Sequence, residues 1–305
     1  MIHEHQYRSL GTSGIMVSPL GVGTNKWMQG RNDEPVSQVA QSFLDAGGNF
    51  FDTAEVYGLG KSERLLGTCL QQNTRPVVVA SKFAPWPYRL SCRQFMDALD
   101  ASLSRLGLPA IDLYYIHWPF TFLKVETLMD MMAQAVEAGK VRAVGVSNFN
   151  AGQMRRAAAR LARYDIPLAA NEVHYSLLHR KPEVNGVLDA CRELDVALVA
   201  YYPLEAGRLK SKETSSSSST SISAKQEGEL RKTLTEIANK RGKSVSQVSL
   251  NWLLRRDKHV IPIPGATSAR HVLDNVDMLS WEMADEEFAA IDQASSPLHH
   301  EYQRQ

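Results

Sequence analysis

Asp52, Tyr57, Lys82 and His117 are the residues of this chain whose types and placement could do chemistry together. Each falls at or just past the end of an apolar run that reads as a β-strand: GGNFFDTAEVYG, RPVVVASKF and IDLYYIHWP. A free tyrosine has a pKa of about 10, too high for a good proton donor at neutral pH. A neighbouring ammonium such as Lys82 favours the phenolate and lowers that value. Asp52 can hold Lys82 charged and oriented, and His117 can hydrogen-bond a substrate oxygen or pass a proton. If the four meet in space, Tyr57 can protonate a carbonyl oxygen while hydride arrives from a cofactor. Taken singly, each has a plain structural reading: a packed loop tyrosine, a solvated lysine at a strand end, a hydrogen-bonded histidine before Trp-Pro. The joint arrangement, with polar groups delivered from successive strand ends, is what argues for catalysis.

The elements that must position them follow a regular plan. YRSLGTSGIMVSPLGVGT opens as a hairpin turned at Gly11 to Gly14 and continues into a strand. Apolar runs then begin near residues 19, 49, 77, 111, 142, 168, 196 and 259, most of them separated by the length of one βα unit. Helical patterns lie between them, over 35–47, 91–107, 125–140, 150–164 and 182–195, with Gly47, Gly107 and Gly139 where C-caps belong. The runs VVVA, YYI and VALVAYY are nearly all apolar, which suits strands of a parallel sheet covered on both faces. Eight strands alternating with helices point to an α/β fold, a closed (β/α)8 TIM barrel. The rival is an open doubly wound sheet, which usually carries G-x-G-x-x-G after its first strand; GVGTNKWMQG does not fit. The expected organisation is a single barrel domain over 1–305, with an N-terminal β-hairpin and additional helices before the eighth strand and at the C-terminus. The extra helices before that strand are EGELRKTLTEIANKRG and SVSQVSLNWLLRRD. The tract SKETSSSSSTSIS has no apolar face and reads as a flexible Ser-rich loop over 211–224, either a surface insertion or a lid over the barrel mouth.

Bulk properties remove other function classes. The chain has 305 residues, 44% hydrophobic and 22% charged, too apolar for disorder. With 34 basic and 33 acidic residues its net charge is +1, and no basic stripe suggests nucleic acid. No apolar stretch approaches the ~20 residues of a membrane span, and MIHEHQYRSL lacks the layout of a signal peptide. Cys69, Cys92 and Cys191 form neither a disulfide framework nor a zinc spacing, which favours a reducing, cytoplasmic location and no metal. Oligomeric state has no signature here.

The motifs NFFDTAEVYG, ASKFAP, YYIHWP, GVSNF and IPIPGATS, in that order, resemble the aldo-keto reductase superfamily from about Tyr7 to Ile291. The stretch KFAPWPYR is also similar to its pyridoxal-reductase-like and potassium-channel-β-like branches. The resemblance implies a (β/α)8 barrel and a carbonyl reductase that takes hydride from NADPH, with NADH left open. Asp52, Tyr57, Lys82 and His117 would be its catalytic residues. It places Gly23, Thr24, Trp27 and Asp52 on the cofactor side. Ser147 and Asn148 would hold the nicotinamide carboxamide. Glu172 stands where the family usually has Gln; a carboxylate there can accept from the carboxamide NH2 and, if ionised, would favour oxidised nicotinamide. Tyr201 would stack on the nicotinamide. Pro203, Leu204, Gly207 and, in RLKSK, Lys212 would lie along the pyrophosphate. Gly265, Thr267, Ser268, His271 and Asn275 would form the adenine end, with Arg270 adjacent. Trp27, Tyr57, Trp86, His117 and Trp118, with Phe120 nearby, would wall a pocket for a small-molecule carbonyl substrate. Two further readings stay open: a redox-sensing regulatory subunit with slow turnover, and an NAD-dependent sugar or alcohol dehydrogenase.

Overall fold

The computed structural model describes residues 1–29, 34–71, 73–210 and 224–301. Two short strands, β1 (Arg8–Ser9) and β2 (Met16–Val17), pair antiparallel as the expected hairpin. Eight strands follow: β3 (Val22–Gly23), β4 (Phe50–Asp52), β5 (Val78–Phe83), β6 (Ile111–Ile116), β7 (Val141–Ser147), β8 (Leu168–His174), β9 (Ala197–Tyr201) and β10 (Val260–Pro262). Each pairs in parallel with the next in chain order, from β3 round to β10. Backbone hydrogen bonds from Gly21 N to Pro262 O (2.9 Å) and Gly23 N to Pro264 O (3.3 Å), with a parallel bridge between Gly23 and Gly265, close the ring. Gly21 permits that closure, because a Cβ there would sit 2.6 Å from Phe50 Cδ1.

Helices α1 (Val36–Asp45), α2 (Lys61–Leu70), α3 (Cys92–Leu106), α4 (Val125–Glu137), α5 (Ala151–Leu161), α6 (Lys181–Val184) and α7 (Val187–Leu194) fill the gaps. Helices α8 (Ala224–Arg241) and α9 (Val245–Arg256) precede β10, and α10 (Ala269–Val276) and α11 (Asp285–Glu301) follow it. The caps explain the boundaries: Ser91, Asn150 and Ser244 each accept from the backbone three residues on, in reciprocal capping boxes with a Gln.

The structure departs from the sequence expectation in two places. The pattern over 182–195 predicts one helix; the chain breaks it at Gly186, which adopts φ 78°. Helix α2 has no counterpart among the predicted helices, because its buried face includes Ser62, Glu63 and Gly67 and so hides the apolar period. The Ser-rich tract lies outside the described residues over 211–223, and residue 224 already begins α8.

Two apolar layers result. The outer one packs the helices on the sheet. The inner one fills the barrel with Phe50, Ala80, Leu113, Tyr115, Ala143, Ala170, Ala197, Val199 and Ile261. Leu10 and Val17 of the hairpin belong to this inner cluster, so the hairpin plugs the end of the barrel opposite the strand C-termini. Gly145 leaves room for the Tyr115 ring, since a Cβ there would lie 2.4 Å from Tyr115 Cδ1. Burying each such aromatic contributes roughly 1.5–3 kcal/mol, and here it also sets a solid base under the site.

Candidate active site

The strand register brings the expected groups together. Asp52 ends β4, opposite Ala80 of β5; Lys82 is two residues further along β5, on the same face of the strand as Ala80. Lys82 Nζ donates to Asp52 Oδ1 at 2.5 Å and to the Thr53 carbonyl at 3.0 Å. It reaches the Tyr57 hydroxyl at 3.4 Å and lies 5.1 Å from the Tyr57 ring centroid. Below it sits Tyr115, ring centroid at 5.6 Å. His117, just past β6, meets Tyr57 edge to face, ring centroids 6.0 Å apart. The four groups therefore meet at the mouth of the barrel, as expected.

Their electrostatics differ from the expectation in one respect. Burial raises the Tyr57 phenol above its ordinary value. Lys82 pulls it down, but Asp52 and Glu172 push it up again, and the balance is upward. The phenol is thus firmly protonated and is not made acidic by its ammonium neighbour. Burial, helped by Lys82, lowers His117 to about 3, so it is a neutral imidazole at physiological pH. Lys82 stays charged: burial opposes its charge, yet Asp52 and Glu172 carry it above its usual range.

Glu172 joins this group directly. It lies on β8, between Ser147 of β7 and Val199 of β9, with Oε2 3.1 Å from Lys82 Nζ. Burial and Asp52 raise its carboxyl well above the usual range. The sequence reading treats it as a cofactor-facing residue; the structure also makes it a second acid on Lys82.

A cavity of about 510 Å3 runs from these groups along the mouth to α10. Asp52, Tyr57, His117, Trp118, Ser147, Asn148, Glu172 and Tyr201 line one end; Gly265, Thr267, His271 and Asn275 line the other. Gly23, Pro203, Leu204 and Gly207 lie along it. Lys26, Tyr202, Ser246 and Asp274 also line it and carry no motif that would have singled them out. Asn148, at φ 62°, is tied down on both sides: its Nδ2 donates to the His117 carbonyl (3.2 Å), and Tyr201 Oη donates to its Oδ1 (3.0 Å). Ser147 Oγ donates to the Glu172 carbonyl at 2.9 Å. Ser268 caps α10 by accepting from His271 N, and His271 Nδ1 is 3.1 Å from Thr267 Oγ1.

Several expected site residues do not face the cavity. Trp27 is 2% exposed, donates from Nε1 to the Ala266 carbonyl and packs edge-on to Phe51, so it supports the wall from behind and is not part of the pocket surface. Thr24 is buried, donating to the Asp52 carbonyl. Trp86 touches Trp118 edge to face at 5.6 Å outside the cavity, and Phe120 is 81% exposed on the rim. Lys212 lies outside the described residues.

A second cluster went unnoticed in the sequence. His174 stacks on Tyr201 (ring centroids 5.4 Å apart) and on His179 (3.9 Å). The Glu205 carboxylate binds His174 Nε2 and Ser176 Oγ, each at 2.6 Å. Glu205 sits in a strained loop: Tyr202, Glu205 and Ala206 have φ of 50°, 46° and 52°. Such conformations cost non-glycine residues about 1–3 kcal/mol each, and the Glu205 bonds hold them.

Comparison with known proteins places this geometry. The model of the aldo/keto reductase family matches residues 19–296. The chain is 36% identical to the chloroplastic pyridoxal reductase of Arabidopsis thaliana, covering 92% of this chain and 84% of that protein. It is 31% identical to the 6-dehydroglucose reductase of Novosphingobium aromaticivorans, covering 92% of each. Among solved structures it resembles an aldo/keto reductase from Klebsiella pneumoniae in complex with NADP and acetate, at 30% identity and a TM-score of 0.77, with 94% of both chains covered.

Proposed function

We propose, from the premise that this chain belongs to the aldo/keto reductase family and is an oxidoreductase, that it reduces an aldehyde or ketone to an alcohol with hydride from NADPH, Tyr57 serving as the general acid. The observation that carries this reading is the convergence of the Tyr57 hydroxyl on Lys82 Nζ at 3.4 Å, beside the neutral His117, at one end of a cavity of about 510 Å3 that extends to Thr267 and Asn275.

The cavity residues fit such a cofactor. Tyr201 offers a flat ring braced from behind by His174, and Asn148 is held rigid beside it. At the far end the first turn of α10 already holds a carboxylate, Glu34 Oε2 accepting from Ala269 N at 2.9 Å, as a helix N-terminus favours anionic groups. When bound there, a reduced nicotinamide supplies hydride to the carbonyl carbon. The chain's own residues do the rest. Tyr57, fully protonated at neutral pH, gives its proton to the oxygen as negative charge develops on it. His117, uncharged, hydrogen-bonds and orients that oxygen without delivering a proton of its own. Lys82, fixed by Asp52 and the Thr53 carbonyl, stabilises the phenolate left behind. Trp118 lines the cavity beside His117, their ring centroids 4.4 Å apart.

The aromatic rim, with Trp86 against Trp118, suits a small ring-bearing or apolar carbonyl compound. Similarity to a pyridoxal reductase puts pyridoxal on the panel to be tried first. The free thiols of Cys69, Cys92 and Cys191 favour a reducing compartment such as the cytosol. The test is NADPH consumption over a panel of aldehydes and ketones, run beside Tyr57→Phe. Turnover on some member that disappears in the variant supports the reading; no consumption on any member, or an undiminished variant, refutes it.

A further inference from the structure

At the base of the cavity two acids face one ammonium. Lys82, Asp52 and Glu172 have side-chain exposures of 0%, 2% and 3%. As two carboxylates with one cation they would bury a net negative charge, which costs several kcal/mol. Among the described residues, the groups around them offer no second cation. Tyr57, Tyr115 and Tyr201 are phenols whose ionisation burial suppresses, and His117 is neutral. Asp52 Oδ2 is buried without a hydrogen-bond partner, and Glu172 Oε2 has only its ion pair with Lys82 Nζ, at 3.1 Å. Yet the two carboxyl groups meet on the same ammonium, Asp52 Oδ1 at 2.5 Å and Glu172 Oε2 at 3.1 Å from Lys82 Nζ, close enough for each to act on the other's ionisation. Two carboxylates are acceptors only and cannot satisfy one another. One proton on Glu172 makes it a donor to Asp52, satisfies the orphaned Asp52 oxygen and leaves Lys82 and Asp52 as a neutral pair.

We propose that Glu172 and Asp52 share one proton in the resting protein, and that this proton is the internal reserve that reloads Tyr57 through Lys82. The proposal deepens the reductase reading and rests on it for its second half. Tyr57 breaks its O–H bond to give the substrate oxygen a proton. The phenolate takes a proton from the Lys82 ammonium 3.4 Å away, and Lys82 takes one from Glu172 at 3.1 Å. Lys82 ends as it began; Tyr57 is again a phenol; Glu172 is now a carboxylate. It then faces the positive charge that nicotinamide acquires on giving up hydride. Solvent returns the proton to Glu172 once the dinucleotide departs. The chain thus uses an acid at this position so that proton delivery and cofactor oxidation state are coupled.

Two measurements test this. Infrared spectra of the ligand-free protein at neutral pH should show a buried carboxylic-acid C=O band that vanishes in Glu172→Gln; the band's own pH titration in the unaltered protein needs no variant. Calorimetric titration with NADP+ in buffers of different protonation enthalpy should show release of about one proton on binding. NADPH should release none, and Glu172→Gln none with either. Absence of the acid band overturns the shared proton. Proton release that persists in Glu172→Gln, or is absent from the unaltered protein, overturns the reserve. A protein that binds neither dinucleotide refutes the reductase reading and the relay together, while the infrared band still decides the shared proton.

Discussion

The Tyr57 hydroxyl stands 3.4 Å from the Lys82 ammonium, and the phenol is nonetheless harder to ionise than a free tyrosine. Burial and two nearby carboxyls outweigh the cation. In the proposed mechanism Tyr57 is therefore protonated before transfer, and the part proposed for Lys82 is to serve the phenolate afterwards more than to acidify the phenol beforehand.

Tyr57→Phe removes the donor and leaves the ring in place. Turnover should fall on the order of a hundredfold or more, with dinucleotide affinity unchanged. Steady-state kinetics beside a fluorescence titration with NADPH separates the two effects; a variant that loses affinity but keeps kcat contradicts the assigned role.

Lys82→Met should destabilise the fold by roughly 3–5 kcal/mol, because it strands buried acids without their cation. The sign with pH is fixed by those acids. Without Lys82 they are tolerated only when protonated, so the loss should be smaller near pH 5 than near pH 8. Urea unfolding at the two pH values measures it, and a loss independent of pH would contradict the assignment.

His117 has its folded pKa lowered from 6.5 to about 3. Between those values the unfolded chain binds a proton that the folded chain refuses. Stability should therefore fall as pH drops through that window, by up to about 1.4 kcal/mol per pH unit from this group. His117→Asn should flatten that limb of the stability curve. The same neutrality means that kcat should show no inflection near pH 6–7 arising from His117.

Glu205→Ala should release the strained 202–207 loop that lies along the cavity. NADPH affinity is expected to weaken about tenfold, the equivalent of ~1.4 kcal/mol, while kcat at saturating cofactor changes little. A fall in kcat with affinity intact would show that the Glu205 bonds to His174 and Ser176 serve the chemistry and not the loop.

Asp52, Lys82 and His117 were legible because each ends an apolar run, and in a parallel barrel all such ends share one face. Glu172 was visible as a residue type but not as a partner of Lys82. That contact spans 90 positions and depends on strand register round half the barrel. The raised phenol of Tyr57 was hidden for the same reason, since desolvation is a property of the packed site and not of the neighbouring lysine. The brace of His174 and Glu205 depends on left-handed backbone at residues that do not advertise it. Helix α2 escaped because Ser62 and Glu63 turn inward, where Ser62 meets Thr24 and Thr53 and Glu63 meets Arg105 and Ser81.

Leu10 and Val17 stopper the lower end of the barrel, and beneath Lys82 the bore is solid with Tyr115, Leu113 and Phe50. Among the described residues, hydrogen isotope from bulk solvent therefore has one open approach to the ammonium and its acids, the cavity that the nucleotide would fill. Exchange at that depth is timed by how long the guest stays seated, so the residence of the nucleotide is also the clock of the buried acid.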